Sequence, residues 1–241
     1  MKPYQLTTVG DQAISIEFPN EINPEINLRL QALAKIITAD KVVGVQAVIP
    51  AYHTLLVTFD AMRTTPRKLK QQLDSIIADQ LAAPLPPKRT LIIPVCYEDP
   101  YGPDLSDVAD YAGISTDEVI KRHTGKSYLI YFLGFLPGFA YMASVDDQIA
   151  MPRLSKPRVK IPAGSVGIAG IQTGFYPVTS PGGWRLIGKT PLTLYQPDNP
   201  EPFYHAGDEI KFEAIDKETF DVIKQADELG HYHVKVVTEN A

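Results

Sequence analysis

Three stretches between His123 and Pro191 hold the residue types that could bind or activate a substrate. In the first, residues 131–141, two glycines and a proline stand among five aromatic side chains. Glycine adopts backbone angles closed to other residues and has no side chain in the way, so this turn would let the backbone approach a ligand between aromatic walls. The candidate binding residues are Phe135, Pro137, Gly138 and Phe139. A barrel corner packed by aromatic rings would explain the same pattern.

The second stretch, residues 161–174, is rich in glycine and other small residues. Successive backbone N–H groups in such a segment can form a concave nest for a carboxylate or an oxyanion. The candidates in this stretch are Pro162, Gly164, Ser165, Gln172 and Thr173. Two closely packed strands that need small residues for backbone contact are the alternative explanation.

The third stretch, residues 180–191, contains a literal match to the P-loop pattern that ends in Gly188, Lys189 and Thr190. A P-loop requires a helix whose first amides face phosphate, whereas Pro191 here precedes strand-like residues 192–195. We therefore predict no P-loop. The candidate binding residues kept from this stretch are Gly182, Gly183 and Trp184.

Cationic side chains precede the second stretch. Lys156, Arg158 and Lys160 alternate with Pro and Val, and Arg153 lies just before them. In an extended segment this spacing places the cations on one face, where a carboxylate or phosphate could bind. An edge strand guarded by lysines against aggregation would show the same pattern.

Histidine chemistry is predicted at one position. His123 ends a helix whose capping box begins at Ser115, just before the aromatic stretch. There it could act as acid, base or hydrogen-bond donor, or cap the helix as a cation. His231 and His233 share one side of a possible strand, but no third ligand accompanies them, so we predict no metal site.

The elements ahead of these stretches predict an α+β unit. Strand, helix, strand, strand and helix follow one another, and the helices begin at the cap-and-proline pairs Asn23-Pro24 and Thr65-Pro66. This order matches most of a ferredoxin-like motif, whose last strand could come from the run beginning near Leu91. Residues 82–89 carry three prolines and read as a stiff connector, which predicts domains at 1–83 and 84–241. From 127 to 212, short apolar runs between Gly and Pro predict a β-barrel or sandwich.

The bulk composition narrows the classes of partner. A net charge of −5 opposes the counterion release and long-range attraction that nucleic acid or anionic lipid would require. The single cysteine, Cys96, cannot form an intramolecular disulfide. No stretch approaches the ~20 apolar residues of a membrane span, and we expect a cytoplasmic protein.

Taken together, the three stretches closely resemble the family named for allophanate hydrolase subunit 1. The resemblance runs from Gly10-Asp11 to beyond Gly207-Asp208, and His123-Thr124 falls where members carry a similar pair. It implies a ferredoxin-like N-terminal domain followed by a mainly-β, cyclophilin-like barrel domain.

The family includes one component of bacterial 5-oxoprolinase, so the resemblance implies a subunit that opens 5-oxo-L-proline to L-glutamate with ATP hydrolysis. The implied partners are a homologous barrel protein, the C-type subunit, and a lactam-hydrolysing protein, the A-type subunit. The implied cofactor is ATP, with Mg²⁺, at the assembled complex. On this interpretation the anion-binding residues are Arg153, Arg158 and Lys160, the oxyanion is held by Ser165 and the 164–167 backbone, and polar contacts come from His123, Gln172 and Thr173.

Two further interpretations share the same motifs. One is an inhibitor of a sporulation-type sensor histidine kinase, which would need only a binding surface. The other is a carboxyltransferase subunit for urea or allophanate. The sequence has no Met-Lys-Met of a biotin carrier, so biotin would have to come from another chain.

Overall fold

The computed structural model describes residues 3–239, and its chain divides between Pro87 and Lys88 into two compact units. The division falls inside the proline-rich connector. Among the described residues, no helix combines the length and apolar character needed to cross a membrane.

The first unit is a four-stranded antiparallel sheet with two helices. Its strands lie in the order β1-β2-β4-β3. The elements are β1 Gln5–Val9, β2 Ala13–Glu17, α1 Pro24–Ala39, β3 Val45–Pro50, β4 Thr54–Phe59 and α2 Pro66–Ala82. Apolar side chains of both helices and of β2 and β4 form its fully buried core.

Both helices of this unit begin where the sequence predicts. The Asn23 side chain accepts hydrogen bonds from the N–H groups of Glu25 and Ile26, and Pro24 occupies the first turn. The Thr65 hydroxyl accepts from the N–H of Lys68 in the same way. These side chains satisfy amides that have no partner within the helix, which confirms the predicted caps.

The complete ferredoxin-like motif is not confirmed. The order from β2 to α2 agrees with it, but the run containing Leu91 lies in the second unit and not in this sheet. The place beside β2 belongs instead to β1, a strand that the sequence did not predict. Most β1 residues are exposed and lack the alternating burial that marks a half-buried strand.

The second unit is built around a closed ring of seven strands, which confirms the predicted barrel. The ring follows the order β12-β9-β10-β7-β6-β13-β5 and closes where Lys189 of β12 pairs with Cys96 of β5. Its strands are β5 Lys88–Cys96, β6 Ser127–Leu133, β7 Ala140–Ala143, β9 Ser165–Ala169, β10 Gln172–Phe175, β12 Arg185–Lys189 and β13 Glu209–Ile215.

Further elements surround the ring. Strand β14 adds to the outside of β5, and β8 pairs with β11 in a separate two-stranded sheet. These elements are α3 Leu105–Ala112, α4 Thr116–Thr124, β8 Arg158–Ile161, β11 Ser180–Gly182, α5 Lys217–Glu228 and β14 Lys235–Glu239. The Ser115 hydroxyl caps α4 by accepting from the N–H of Glu118, as the capping box predicts. A large apolar cluster fills the barrel between its strands and α3 and α4.

Candidate functional site

Three predicted site residues, Phe139, Arg153 and Trp184, meet two further aromatic residues at the surface of the barrel unit. Phe139, Tyr141, Tyr176 and Trp184 pack against one another, and the Arg153 guanidinium lies beside them. We call these five residues the aromatic–arginine site. Phe139 and Trp184 are buried, whereas Tyr141 is partly accessible and Arg153 is exposed.

Short connections between barrel strands hold the rings in place. The turn before β7 is closed by hydrogen bonds from the Gly134 N–H to the Phe139 carbonyl at 3.1 Å and from the Phe139 N–H to the Leu136 carbonyl at 3.0 Å. Tyr176 directly follows β10, and Trp184 lies between β11 and β12. Phe139 is central, because its ring centroid lies 4.9 Å from that of Tyr141 and 5.3 Å from those of Tyr176 and Trp184. Tilted and edge-to-face pairs at these distances are favourable for aromatic rings.

Arg153 supplies the positive charge of the site. Salt bridges within residues 3–239 do not include it, so its guanidinium has no carboxylate partner there. Burial raises the pKa of Tyr176 to about 12, and the nearby Arg153 charge opposes that rise. Burial also raises the pKa of Tyr141, again opposed by Arg153. Both phenols therefore stay protonated near neutral pH beside an accessible cation.

The two adjacent glycines are explained by what lies over them. A Cβ atom on Gly183 would lie 3.0 Å from Nη2 of Arg153, and one on Gly182 would lie 2.8 Å from Cδ1 of Ile161 and overlap the Tyr176 hydroxyl. Any larger side chain at these positions would displace the arginine or the tyrosine. Gly182 and Gly183 thus shape the site without supplying a functional group.

His123 and Thr173 lie elsewhere, in a hydrogen-bonded chain inside the barrel. The Tyr97 hydroxyl is 2.7 Å from Nδ1 of His123, and Nε2 of His123 is 2.8 Å from Oγ1 of Thr173. The Thr173 hydroxyl donates to the Gly167 carbonyl at 3.1 Å. The imidazole also stacks on Phe212, with ring centroids 4.6 Å apart.

This chain of bonds fixes the protonation state of His123. The Thr173 hydroxyl donates its proton to the Gly167 carbonyl, so toward His123 it can only accept, and Nε2 must carry the proton. The other ring nitrogen, Nδ1, accepts from the Tyr97 hydroxyl. Burial lowers the pKa of His123 to about 3. The imidazole is therefore neutral near pH 7, with its proton on Nε2.

The predicted catalytic roles of His123 and Thr173 are corrected by this placement. Both side chains have no exposed surface, and their polar atoms are already hydrogen-bonded within the protein. A group that exchanges protons with a substrate must be able to reach it. Both residues instead connect α4 to the paired strands β9 and β10.

Arg158, which is predicted to bind an anion, already forms an ion pair within the protein. Its Nη2 lies 2.6 Å from Oδ1 of the buried Asp104, whose Oδ2 accepts from the Leu186 N–H at 2.6 Å. The carboxylate thus joins the start of α3 to β8 and β12. This pairing corrects the prediction, because an external anion would have to compete with a buried carboxylate.

The predicted nest at 164–167 does not form. The Gly164 N–H donates to the Tyr176 carbonyl at 2.7 Å and the Ser165 N–H to the Pro162 carbonyl at 3.3 Å. Strand β9 is also paired on both sides, with β10 and β12. Amides used in this way cannot stabilise an oxyanion, so the alternative of closely packed strands is the better description, and Ser165 is buried among them.

The remaining candidates lie around the site or away from it. Phe135, 66% exposed, packs edge-on against Phe139 and forms a rim of the site. The Gly138 carbonyl accepts a hydrogen bond from the Tyr204 hydroxyl at 2.6 Å, so this carbonyl is already used within the barrel unit. The last four candidates are the exposed Pro137, Lys160 and Pro162 and the partly buried Gln172.

Tyr141 and Tyr176 are site residues that sequence reasoning missed. Tyr141 belongs to the aromatic stretch, but nothing in its spacing distinguishes it from the other rings there.

Metal ligation finds no support in residues 3–239, where no group of three or more His, Cys, Asp or Glu side chains could hold an ion.

Comparison with known proteins agrees with this architecture. Residues 4–205 match the family described as carboxyltransferase domain, subdomain C and D. A Bacillus subtilis protein, named as the B subunit of 5-oxoprolinase, is 41% identical over 233 residues, which cover 92% of this chain and 97% of that protein.

Two crystal structures extend the comparison. An uncharacterized protein from Pyrococcus horikoshii is 43% identical, covers 90% of this chain and 100% of its own, and superposes with a TM-score of 0.53. The K. lactis urea amidolyase covers 98% of this chain with a TM-score of 0.77. This chain spans 16% of that enzyme, and the 18% identity shows a shared fold alone. The chain belongs to the carboxyltransferase domain family of subdomains C and D, together with the proteins named as B subunits of 5-oxoprolinase.

Proposed function

We propose that this chain is the B subunit of an ATP-dependent 5-oxoprolinase complex, and that its aromatic–arginine site binds 5-oxo-L-proline. The proposal is supported by relatives that carry the name of that component. The single observation that carries the site assignment is the exposed Arg153 guanidinium, which has no carboxylate partner among the described residues and lies beside the partly accessible Tyr141 ring.

The chemistry of the site suits this substrate. 5-Oxoproline has one carboxylate and a small, flat lactam ring. Arginine stays charged at any working pH and presents paired N–H donors that match the two oxygens of a carboxylate. Tyr141 is partly accessible and stacks on Phe132, and its protonated hydroxyl is a donor for the lactam carbonyl.

Catalysis in the proposed complex requires groups from other chains. The aromatic–arginine site consists of four aromatic residues and one arginine, and it contains neither an activated nucleophile nor a carboxylate base. We therefore assign substrate binding and orientation to this chain. The groups that open the ring would come from the homologous barrel protein of the C type and the lactam-hydrolysing protein of the A type.

The P-loop-like residues of this chain do not form a site for a whole ATP molecule. The P-loop-like residues Lys189 and Thr190 lie at the end of strand β12, with no helix following them directly. The cavity next to them has a volume of about 180 Å³, below the roughly 300–1,000 Å³ of pockets for drug-sized ligands. When bound to the complex, ATP would supply the phosphoryl group that activates the lactam oxygen. We propose that the nucleotide is held mainly by a partner chain.

A carboxyltransferase role is the second candidate, favoured by the family match and by the fold shared with urea amidolyase. It would require biotin from a separate carrier. Affinity capture of this chain from its host, followed by streptavidin detection, separates the two roles. A biotinylated partner would favour carboxyl transfer, and its absence would favour 5-oxoprolinase. Kinase inhibition stays a prediction from the resemblance.

The direct test of the proposed function is reconstitution. This chain is mixed with its A-type and C-type partner proteins, and release of ADP and glutamate is measured with and without 5-oxoproline. We expect equal amounts of both products, dependent on 5-oxoproline and lost when this chain is omitted. ADP release that ignores 5-oxoproline, or full activity without this chain, would contradict the proposal.

A further inference from the structure

A small cavity on the barrel unit brings two lysines together. Lys189 ends β12, and Lys224 lies one helical turn after Phe220 on α5. Both line a cavity of about 180 Å³ whose remaining wall is formed by Ala163, Pro177, Phe220 and residues 190–195.

The charges in this cavity have one sign. Its lining contains two lysines and no Asp or Glu. Two carboxylates of α5 lie close by: Glu228 is 3.8 Å from Lys224 in an exposed pair, and Asp227 accepts from the Thr193 N–H at 2.8 Å. Among the described contacts, Lys189 has no carboxylate partner; its ammonium nitrogen lies 5.9 Å from the centre of the Tyr101 ring.

The charge of Lys224, which has Glu228 as an exposed partner, disfavours the ammonium form of Lys189. Burial lowers the pKa of Lys189, and the charge of Lys224 lowers it further. Two like charges that face one cavity repel each other, and a bound anion would reverse that repulsion. The stem of Lys189 lies next to Gly164, since a Cβ on that glycine would be 3.4 Å from its Cε.

We propose that Lys189 and Lys224 bind one oxyanion, a phosphate or carboxylate group, in the cavity between β12 and α5. The site is distinct from the aromatic–arginine site, and the inference does not depend on the proposed function. On this proposal, the last residues of the P-loop-like sequence, Gly188 to Thr190, help to bind an anion although no helix follows them as in a true P-loop.

The size of the cavity defines the ligand class. A volume of about 180 Å³ admits a single anionic group but is smaller than typical pockets for larger ligands. Thr190 and Thr193, which also line it, carry hydroxyl groups that can donate to oxyanion oxygens. The ligand is therefore an isolated anion or one charged end of a longer molecule.

Calorimetric titration of the full chain with inorganic phosphate at low ionic strength tests the inference. We expect one site, with affinity reduced at least about tenfold in Lys189→Met and in Lys224→Met, while Lys211→Met, at an exposed position of β13, matches the wild type. Methionine keeps most of each apolar stem, and Lys224 is exposed, so that variant should retain the fold. No phosphate binding, or equal weakening by all three substitutions, would overturn the proposal.

Two further arms distinguish the source of the anion and guard against misfolding. Acetate replaces phosphate in one arm, and binding with the same lysine dependence would identify a carboxylate site; binding of phosphate alone would identify a phosphate site. In the other arm, phosphate should raise the Tm of the wild type and of Lys211→Met but not of Lys224→Met. A Tm increase shared by Lys224→Met would count against the site.

Discussion

Acidification should destabilise the barrel through His123. The histidine is neutral and fully buried in the folded protein, where its pKa is lowered to about 3 from the ordinary value of 6.5. Between these two pH values the unfolded chain binds a proton that the folded chain excludes. The stabilising contribution is therefore present above the unfolded pKa and is lost as the pH falls toward the folded one.

The expected size follows from this linkage. Each pH unit within the window changes the free energy of unfolding by about 1.4 kcal/mol, so the loss between about pH 7 and about pH 5 is about 2 kcal/mol. Urea unfolding followed by fluorescence of Trp184, the single tryptophan, reports on the barrel. The matched variant is His123→Gln, which keeps a polar side chain that does not titrate.

The difference between the wild type and His123→Gln in how the free energy of unfolding changes with pH gives the contribution of His123. Carboxylates titrate alike in both proteins, so the wild type should lose about 2 kcal/mol more than His123→Gln over this range. Imidazole ¹⁵N shifts should also show the proton on Nε2 throughout. Equal losses of stability in the two proteins, or an imidazole that titrates near its ordinary pKa, would refute the reasoning.

Two substitutions test the other buried contacts through urea unfolding. Tyr97→Phe removes the donor to His123 and should lower the free energy of unfolding by about 1–3 kcal/mol, whereas Tyr111→Phe on the exposed surface of α3 should change little. Asp104→Asn should cost about 1–3 kcal/mol, because it breaks a buried ion pair whose arginine is partly solvated. Asp107→Asn, in a more exposed pair, should cost under about 1 kcal/mol, and equal losses in both aspartate variants would contradict the assignment.

Local signals in the sequence predicted local structure well. The caps Asn23, Thr65 and Ser115 and the prolines after the first two identify the helix starts because these interactions span only a few residues. The frequent Gly and Pro after residue 127 indicated a β-barrel or sandwich, and the structure contains the barrel. Strand β1 was missed because its pairing with β2, and not its own burial, makes it a strand.

The roles of individual site residues depended on distant partners. Arg158 looked available for an anion, yet its carboxylate partner Asp104 lies 54 positions earlier. His123 looked reactive, yet Thr173 lies 50 positions later and holds it inside the barrel. Spacing along the chain cannot show which side chains meet after folding. Arg153 was proposed together with Arg158, and only the structure distinguishes the accessible cation from the engaged one.

The most direct test of the central claim is the kinetic effect of Arg153→Met in the reconstituted complex. Loss of the guanidinium that binds the substrate carboxylate should lower kcat/KM for 5-oxoproline by at least about tenfold, mostly through a higher KM, with Lys211→Met as the matched surface control. Arg153→Lys should recover part of the loss, because it restores the charge but not the paired donors. Wild-type kcat/KM in Arg153→Met would contradict the assignment of the aromatic–arginine site.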